Sequence, residues 1–192
     1  MSKPPTRDRI RDSAAKLFQH QGYHGTGVKQ IVAGASAPLA SLYHFFPGGK
    51  EALGVEVVRV SGAGYQALVE AVWDGAPDAV AGVLAVFDGA AAVLEASGYE
   101  DACPIATVAL EVASTNETLR LATAEVFDAW IASATMRLRA AGLTPATARE
   151  LAFAIVAGLE GGFVLARATR STEPMYAAGR VASAAVERAL RA

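Results

Sequence analysis

The four lysines of this 192-residue chain are Lys3, Lys16, Lys29 and Lys50, so every one lies in the first fifty positions. Lys50 follows Pro47-Gly48-Gly49 and opens an expected helix. An ammonium group beside backbone N–H donors that a helix has not yet taken up is a natural anion site, and its plainer alternative is a solvated lysine. Cys103 is the single cysteine, so no disulfide forms within the chain and the usual zinc spacings are absent. Pro104 follows it at a helix start, where a lone thiol reads as a small buried hydrophobe rather than a redox sensor. No nucleophile–base pair, metal-ligand spacing or phosphate-binding loop is present. A helical small-molecule enzyme is therefore disfavoured, and neither cofactor nor metal is expected.

The net charge of −2 conceals an asymmetry. Residues 1–50 hold seven Lys or Arg against two acids, whereas the remainder holds ten against seventeen. A basic head on an acidic body suggests that only the head approaches a polyanion, the alternative being a merely soluble arm. Hydrophobic residues make up 53% of the chain, ample for a continuous core. The N-terminus has no apolar signal region, and the most apolar late stretch, residues 151–166, is interrupted by Glu160 and too short to span a bilayer. The expectation is a cytoplasmic protein with no membrane partner.

These residues need helices to position them. Ile10, Ala14, Leu17 and Phe18 fall on one face of a helix over 6–21, which Gly22 stops. Thr26 is expected to cap a second helix with Val28, Ile31, Val32 and Ala35 as its buried stripe. After a tight break at residues 35–37, Pro38 suits the first position of a third helix, to about Phe45, that buries Leu42 and Phe46. Three short helices with such a turn between the second and third form a helix-turn-helix, whose last helix enters the major groove. A fourth helix is expected from Lys50 to about Trp73. Further helices follow from Pro77 to Ser97, from Pro104 to Ser114, from Glu117 to Ala141, from Thr144-Pro145 to about Arg167, and from Pro174 to Leu190. No strand pattern competes, so the fold class is all-α with about nine helices.

Gly22-Tyr23, Thr26, Ile31 and the run from Ser41 to Leu53, SLYHFFPGGKEAL, together resemble the TetR family of bacterial repressors. Cys103-Pro104-Ile105, residues 108–111, Gly158-Leu159-Glu160-Gly161 and Ser171-Thr172-Glu173-Pro174 extend the likeness to the branch containing the LmrA and YxaF repressors. The resemblance implies a DNA-binding domain over 1–50 and an effector-binding and dimerisation domain over 51–192. It implies a homodimer through the last two long helices, and a repressor of an efflux pump or modifying enzyme that a small hydrophobic effector releases from a double-stranded operator. A protein of the same fold that binds small molecules but has lost specific DNA binding is the alternative.

The resemblance places Tyr43 and His44 against phosphates, where they would position the helix without reading sequence; Tyr43 packing on the first helix is the plainer reading. Ser41 is the best candidate for a base-edge contact, Lys29 a weaker one for phosphate or base, and the Thr26 hydroxyl also faces phosphate in this scheme. Two departures matter. The turn usually carries Gly where Ser36 stands, and Leu39-Ala40 replaces a frequent cation followed by Gly, which removes a guanine or phosphate contact and leaves thymine methyls as targets. Pro38, Leu39 and Ala40 complete the DNA-facing set. For the effector, Phe87, Leu110, Phe127, Trp130, Phe153 and Phe163 are candidate lining residues, each with ordinary core as its alternative. Cys103 is grouped with them. Glu160, a carboxylate in an apolar helix, is costly unless partnered. It either meets an arginine such as Arg167 across the dimer or faces the ligand, and Glu111 raises the same question.

Overall fold

The computed structural model describes residues 4–192, so Lys3 of the basic head lies outside the described residues. Among those residues the chain forms nine helices and no strand: α1 (Thr6–Gln21), α2 (Val28–Gly34), α3 (Leu39–Phe45), α4 (Gly49–Asp74), α5 (Ala79–Ala96), α6 (Pro104–Val112), α7 (Glu117–Ala140), α8 (Pro145–Thr169) and α9 (Glu173–Arg191). The ends follow local chemistry. Gly22 stops α1 at φ +80°, Asp78 caps α5 by accepting from the Ala81 N–H at 2.8 Å, and Thr144 caps α8 through the Thr147 N–H. Pro77 therefore precedes α5 rather than starting it, and Pro38 is the residue before α3 rather than its first.

The chain divides into two compact units. The first comprises the residues up to Ala63 together with Cys103–Val126; the second comprises Gly64–Ala102 and Phe127–Ala192. These units follow packing and differ from a division by role at residue 50, because α6 and the start of α7 belong with the first.

In the first unit α1 packs on α2, α3 and α6. Ile10, Ala14, Phe18, Ile31, Leu42 and Leu53 are fully buried, as are Ile105 and Leu119. Each large side chain so buried contributes roughly 1.5–3 kcal/mol. The turn between α2 and α3 contains Ser36 at φ +47°, which explains why glycine suits that position. Arg9 of α1 secures this turn by donating to the Ala35 carbonyl at 3.0 Å, the Ser36 carbonyl at 3.4 Å and the Pro4 carbonyl at 2.9 Å.

In the second unit α9 packs on both α5 and α8. The core there is built on Trp73, Val83, Phe87, Ile131, Leu138, Ile155 and Met175. Gly162 and Gly179 allow the close approach: a Cβ on the first would stand 2.8 Å from Met175 Sδ, and one on the second 2.8 Å from Phe87 Cβ. Arg137 on α7 forks onto Asp74 at 2.8 Å through each of two nitrogens. Arg167 donates to the carbonyls of Tyr99 and Glu100, securing the loop after α5. By length and composition α5 and α8 are each apolar enough to cross a membrane, and α8 extends well beyond the apolar stretch of residues 151–166. On α5 Val83, Phe87 and Ala91, and on α8 Ala152 and Ile155, are buried inside this unit.

Candidate nucleic-acid interface

The candidate surface begins with α3, a seven-residue helix anchored along one edge. Leu42 is fully buried and Phe46 nearly so, while Pro38, Leu39, Ala40, Tyr43 and His44 are exposed. With Leu42 turned inward, helical geometry sends positions 40, 43 and 44 outward, while Leu39, one turn before Leu42, is 44% exposed at the start of the helix. Ser41 is half-buried and Lys29, on α2, is exposed. Tyr43 is 52% exposed, and its ring borders Gly49: a Cβ there would lie 3.4 Å from Tyr43 Cε1. Gly49 adopts φ +65° at the start of α4, so a side chain there would be strained as well. Tyr43 thus leans on the α3–α4 junction. The His44 and Phe45 rings meet edge to face at 4.9 Å.

The next layer is Lys50, whose ammonium sits 4.2 Å from the centre of the Tyr23 ring. Partial burial lowers its pKa, and the charge of Glu111 acts against that shift. Burial, with a smaller contribution from the nearby Glu51 carboxylate, raises the pKa of the Tyr23 phenol. On the α1–α2 turn beside Tyr23, His24 is exposed, and its backbone N–H donates to Glu111 Oε2 at 2.6 Å.

Thr26 departs from expectation. It is 1% exposed, and its hydroxyl donates to the Gly22 carbonyl at 2.7 Å. The residue before α2 is Gly27, whose N–H is satisfied by Gln30 Oε1 at 2.8 Å. With Gln30 folding back to serve the helix start, Thr26 neither caps α2 nor faces phosphate; it ties the turn to the end of α1.

The basic head also proves less free than its composition suggests. Arg7 pairs with Glu56 and lies over the Phe46 ring, with its guanidinium carbon 5.4 Å from the ring centre. Arg11 pairs with Asp8 and Asp12, and Arg9 holds the turn as described. Three of the arginines therefore build the head, which leaves, among the described residues, exposed Lys16 and Lys29 and the half-buried Lys50 as the lysines able to meet an anion.

The effector candidates separate. Leu110 is 78% exposed on α6. Cys103, in that same unit, is buried and accepts from the Ala106 N–H at the start of α6, so it serves as a cap. Phe87 is fully buried core of the second unit. Phe153 is exposed on α8 beneath the Arg149 guanidinium, 4.9 Å from its ring centre, and so is not a cavity residue of that unit. Phe127 and Trp130, half-buried, meet edge to face at 5.6 Å, while Glu160 and Phe163 are half-buried on α8. Arg167 is engaged with the loop carbonyls. A groove of about 540 Å³ in the second unit is lined instead by Thr135, Met136, Arg139, Leu143 and Arg149, among others.

Sequence reasoning missed Arg9 and the reach of Glu111 into the α1–α2 turn. Ser36 and Gly22 both adopt positive φ in these turns, a strain at Ser36 and an ordinary conformation for Gly22.

Residues 10–57 match the family model described as "Bacterial regulatory proteins, tetR family", and residues 79–181 match "Transcriptional regulator LmrA/YxaF-like, C-terminal domain". The chain is 33% identical over 174 residues to the uncharacterized HTH-type transcriptional regulator YxaF of Bacillus subtilis, covering 91% of each protein. It is 30% identical over 175 residues to the HTH-type transcriptional regulator LmrA of the same organism, covering 91% of this chain and 93% of that one. Among solved structures, a TetR transcriptional regulator from Legionella pneumophila superposes with a TM-score of 0.83 at 23% identity, covering 95% and 97% of the two chains.

Proposed function

This chain belongs to the TetR family of bacterial regulatory proteins, in its LmrA/YxaF-like branch, and from that premise we propose that it is a ligand-responsive repressor binding a pseudo-palindromic operator as a homodimer. The observation that carries the proposal is the α3 surface: a helix held by Leu42 and Phe46 that presents Leu39, Ala40, Tyr43 and His44 to solvent. In the major groove Leu39 and Ala40 meet thymine methyls, while Tyr43, His44 and Lys50 meet phosphate oxygens.

Support for the dimer comes from α8. Phe153, Ala154, Ala157, Gly161, Val164 and Leu165 are exposed at helical spacing along one side, and on α9 Val181 is 70% exposed. A continuous apolar stripe of this length on a long helix is the surface of a partner site. Paired α8 and α9 helices of two chains make a four-helix bundle. Such a dimer reads half-sites about 34–36 Å apart. A small hydrophobic effector held by the second unit releases the operator, with a coupling on the order of 1–3 kcal/mol. The regulated gene encodes an efflux pump or a modifying enzyme, and the protein works in the cytoplasm; these last statements rest on the branch likeness.

The salt dependence of binding tests the assignment at Lys50. Lys50→Met is expected to weaken binding to specific and unrelated duplexes alike, and to lower the slope of log affinity against log salt by about one. An unchanged slope, measured by fluorescence anisotropy between low and physiological salt, would remove Lys50 from the phosphate-contacting set.

A further inference from the structure

Glu111 reaches out of α6 into the turn that follows α1. Its Oε2 accepts the His24 backbone N–H at 2.6 Å, and its Oε1 occupies the space a side chain on Gly22 would need, since a Cβ there would stand 1.7 Å away. Position 22 has φ +80°, a conformation suited to glycine, so the turn and the carboxylate are shaped to one another. The same carboxylate is the acid whose charge bears on Lys50, the residue stacked on Tyr23. Lys50 in turn follows Gly49, against which Tyr43 of α3 leans. A contiguous series of contacts therefore runs from α6 through the His24 turn and Lys50 to the exposed edge of α3.

We propose that Glu111 is a positioning residue for DNA binding, holding the Tyr23–His24 turn and, through the Tyr23 ring on which it stacks, Lys50 where it meets the phosphate backbone. The inference rests on the repressor reading above. An acid close to a phosphate-facing surface would ordinarily repel DNA. Here its hydrogen bond to the His24 N–H offsets that repulsion, and the benefit is order in the groups that make contact. No enzyme step or ligand is involved; α6 simply sets the geometry of the head.

The test uses the full chain and the duplex that the unmodified protein selects from a random pool. Affinity and salt slope are measured for E111A, E111D and E111Q, with urea unfolding of each as a control. E111A removes the carboxylate, and E111D keeps the charge but draws it back by one methylene. Both are expected to bind about tenfold more weakly with a slope lower by about one, the signature of one lost phosphate contact. E111Q keeps an oxygen that accepts the His24 N–H and is expected to bind within about threefold of the unmodified protein at its full slope. If E111A fails to fold, E111D against E111Q carries the comparison. Equal affinity and slope in every variant overturns the proposal. So does a loss of stability with no change in slope, which is the mark of a merely structural contact, and so does an E111Q loss as large as that of E111D. If the unmodified protein selects no duplex at all, it is the repressor reading that has failed.

Discussion

A Gly161→Glu variant is expected to fold normally, to sediment as a monomer of 19.8 kDa and to lose about 100- to 10,000-fold in operator affinity. A Cβ on Gly161 meets nothing within 4 Å in its own chain, and its backbone lies in the middle of α8. Replacing glycine in a helix interior removes a cost of about 1 kcal/mol, so the isolated chain loses nothing and its helix gains. Gly161 nevertheless sits on the exposed apolar side of α8 with Ala157, Val164 and Leu165. A charged side chain there prevents another helix from approaching and would leave a carboxylate buried without a partner. The affinity loss follows because two linked heads gain 100- to 10,000-fold over one. Sedimentation equilibrium and a binding titration check both halves. A variant that remains dimeric with full affinity would show that this side of α8 is not where the copies meet.

The second large effect concerns Phe87. Its ring is fully buried between α5, α8 and α9, with a Cβ on Gly158 falling 3.6 Å from Phe87 Cζ and one on Gly179 falling 3.0 Å from Phe87 Cγ. Phe87→Ala is expected to cost about 3–5 kcal/mol, because removing the ring combines lost transfer energy with a cavity that rigid helix backbones cannot close. Against a total of roughly 5–15 kcal/mol for a typical domain, that is a large share. Urea unfolding followed by circular dichroism measures it directly. A cost below about 1 kcal/mol would mean that the ring faces an open space, and Phe87 would return to the effector-lining candidates.

Elements were legible in the sequence where one residue type forces a local outcome. Gly22 ends α1, Pro104 begins α6 behind Cys103, and Thr144-Pro145 begins α8, so these ends follow from backbone chemistry that needs no neighbour. Part of the exposed edge of α3 was equally readable, because burying Leu42 turns positions 40, 43 and 44 away from the core, whereas Leu39 shares the side of Leu42 and its exposure was not readable. Thr26 was misread because two residues competed for one role. Gln30 reaches back to Gly27, and nothing at position 26 itself announces that its hydroxyl will turn to Gly22. Arg9 and Glu111 were illegible for a different reason: their partners lie 26 to 87 positions away along the chain. The effector set fared least well, since an apolar residue on a helix carries no mark of its neighbour. Leu110, Phe87 and Phe153 look alike in sequence, yet one is exposed on α6, one is core and one lies on the α8 stripe.

The most direct test of the central claim is selection of bound duplexes from a random DNA pool by the full-length protein, repeated at several salt concentrations. The account predicts recovery of an inverted repeat whose half-sites lie one helical turn or a multiple apart, with affinity falling steeply as salt rises. A folded, dimeric protein that enriches no sequence would contradict it, and would mark the chain as a small-molecule-binding member of this fold that has lost specific DNA binding.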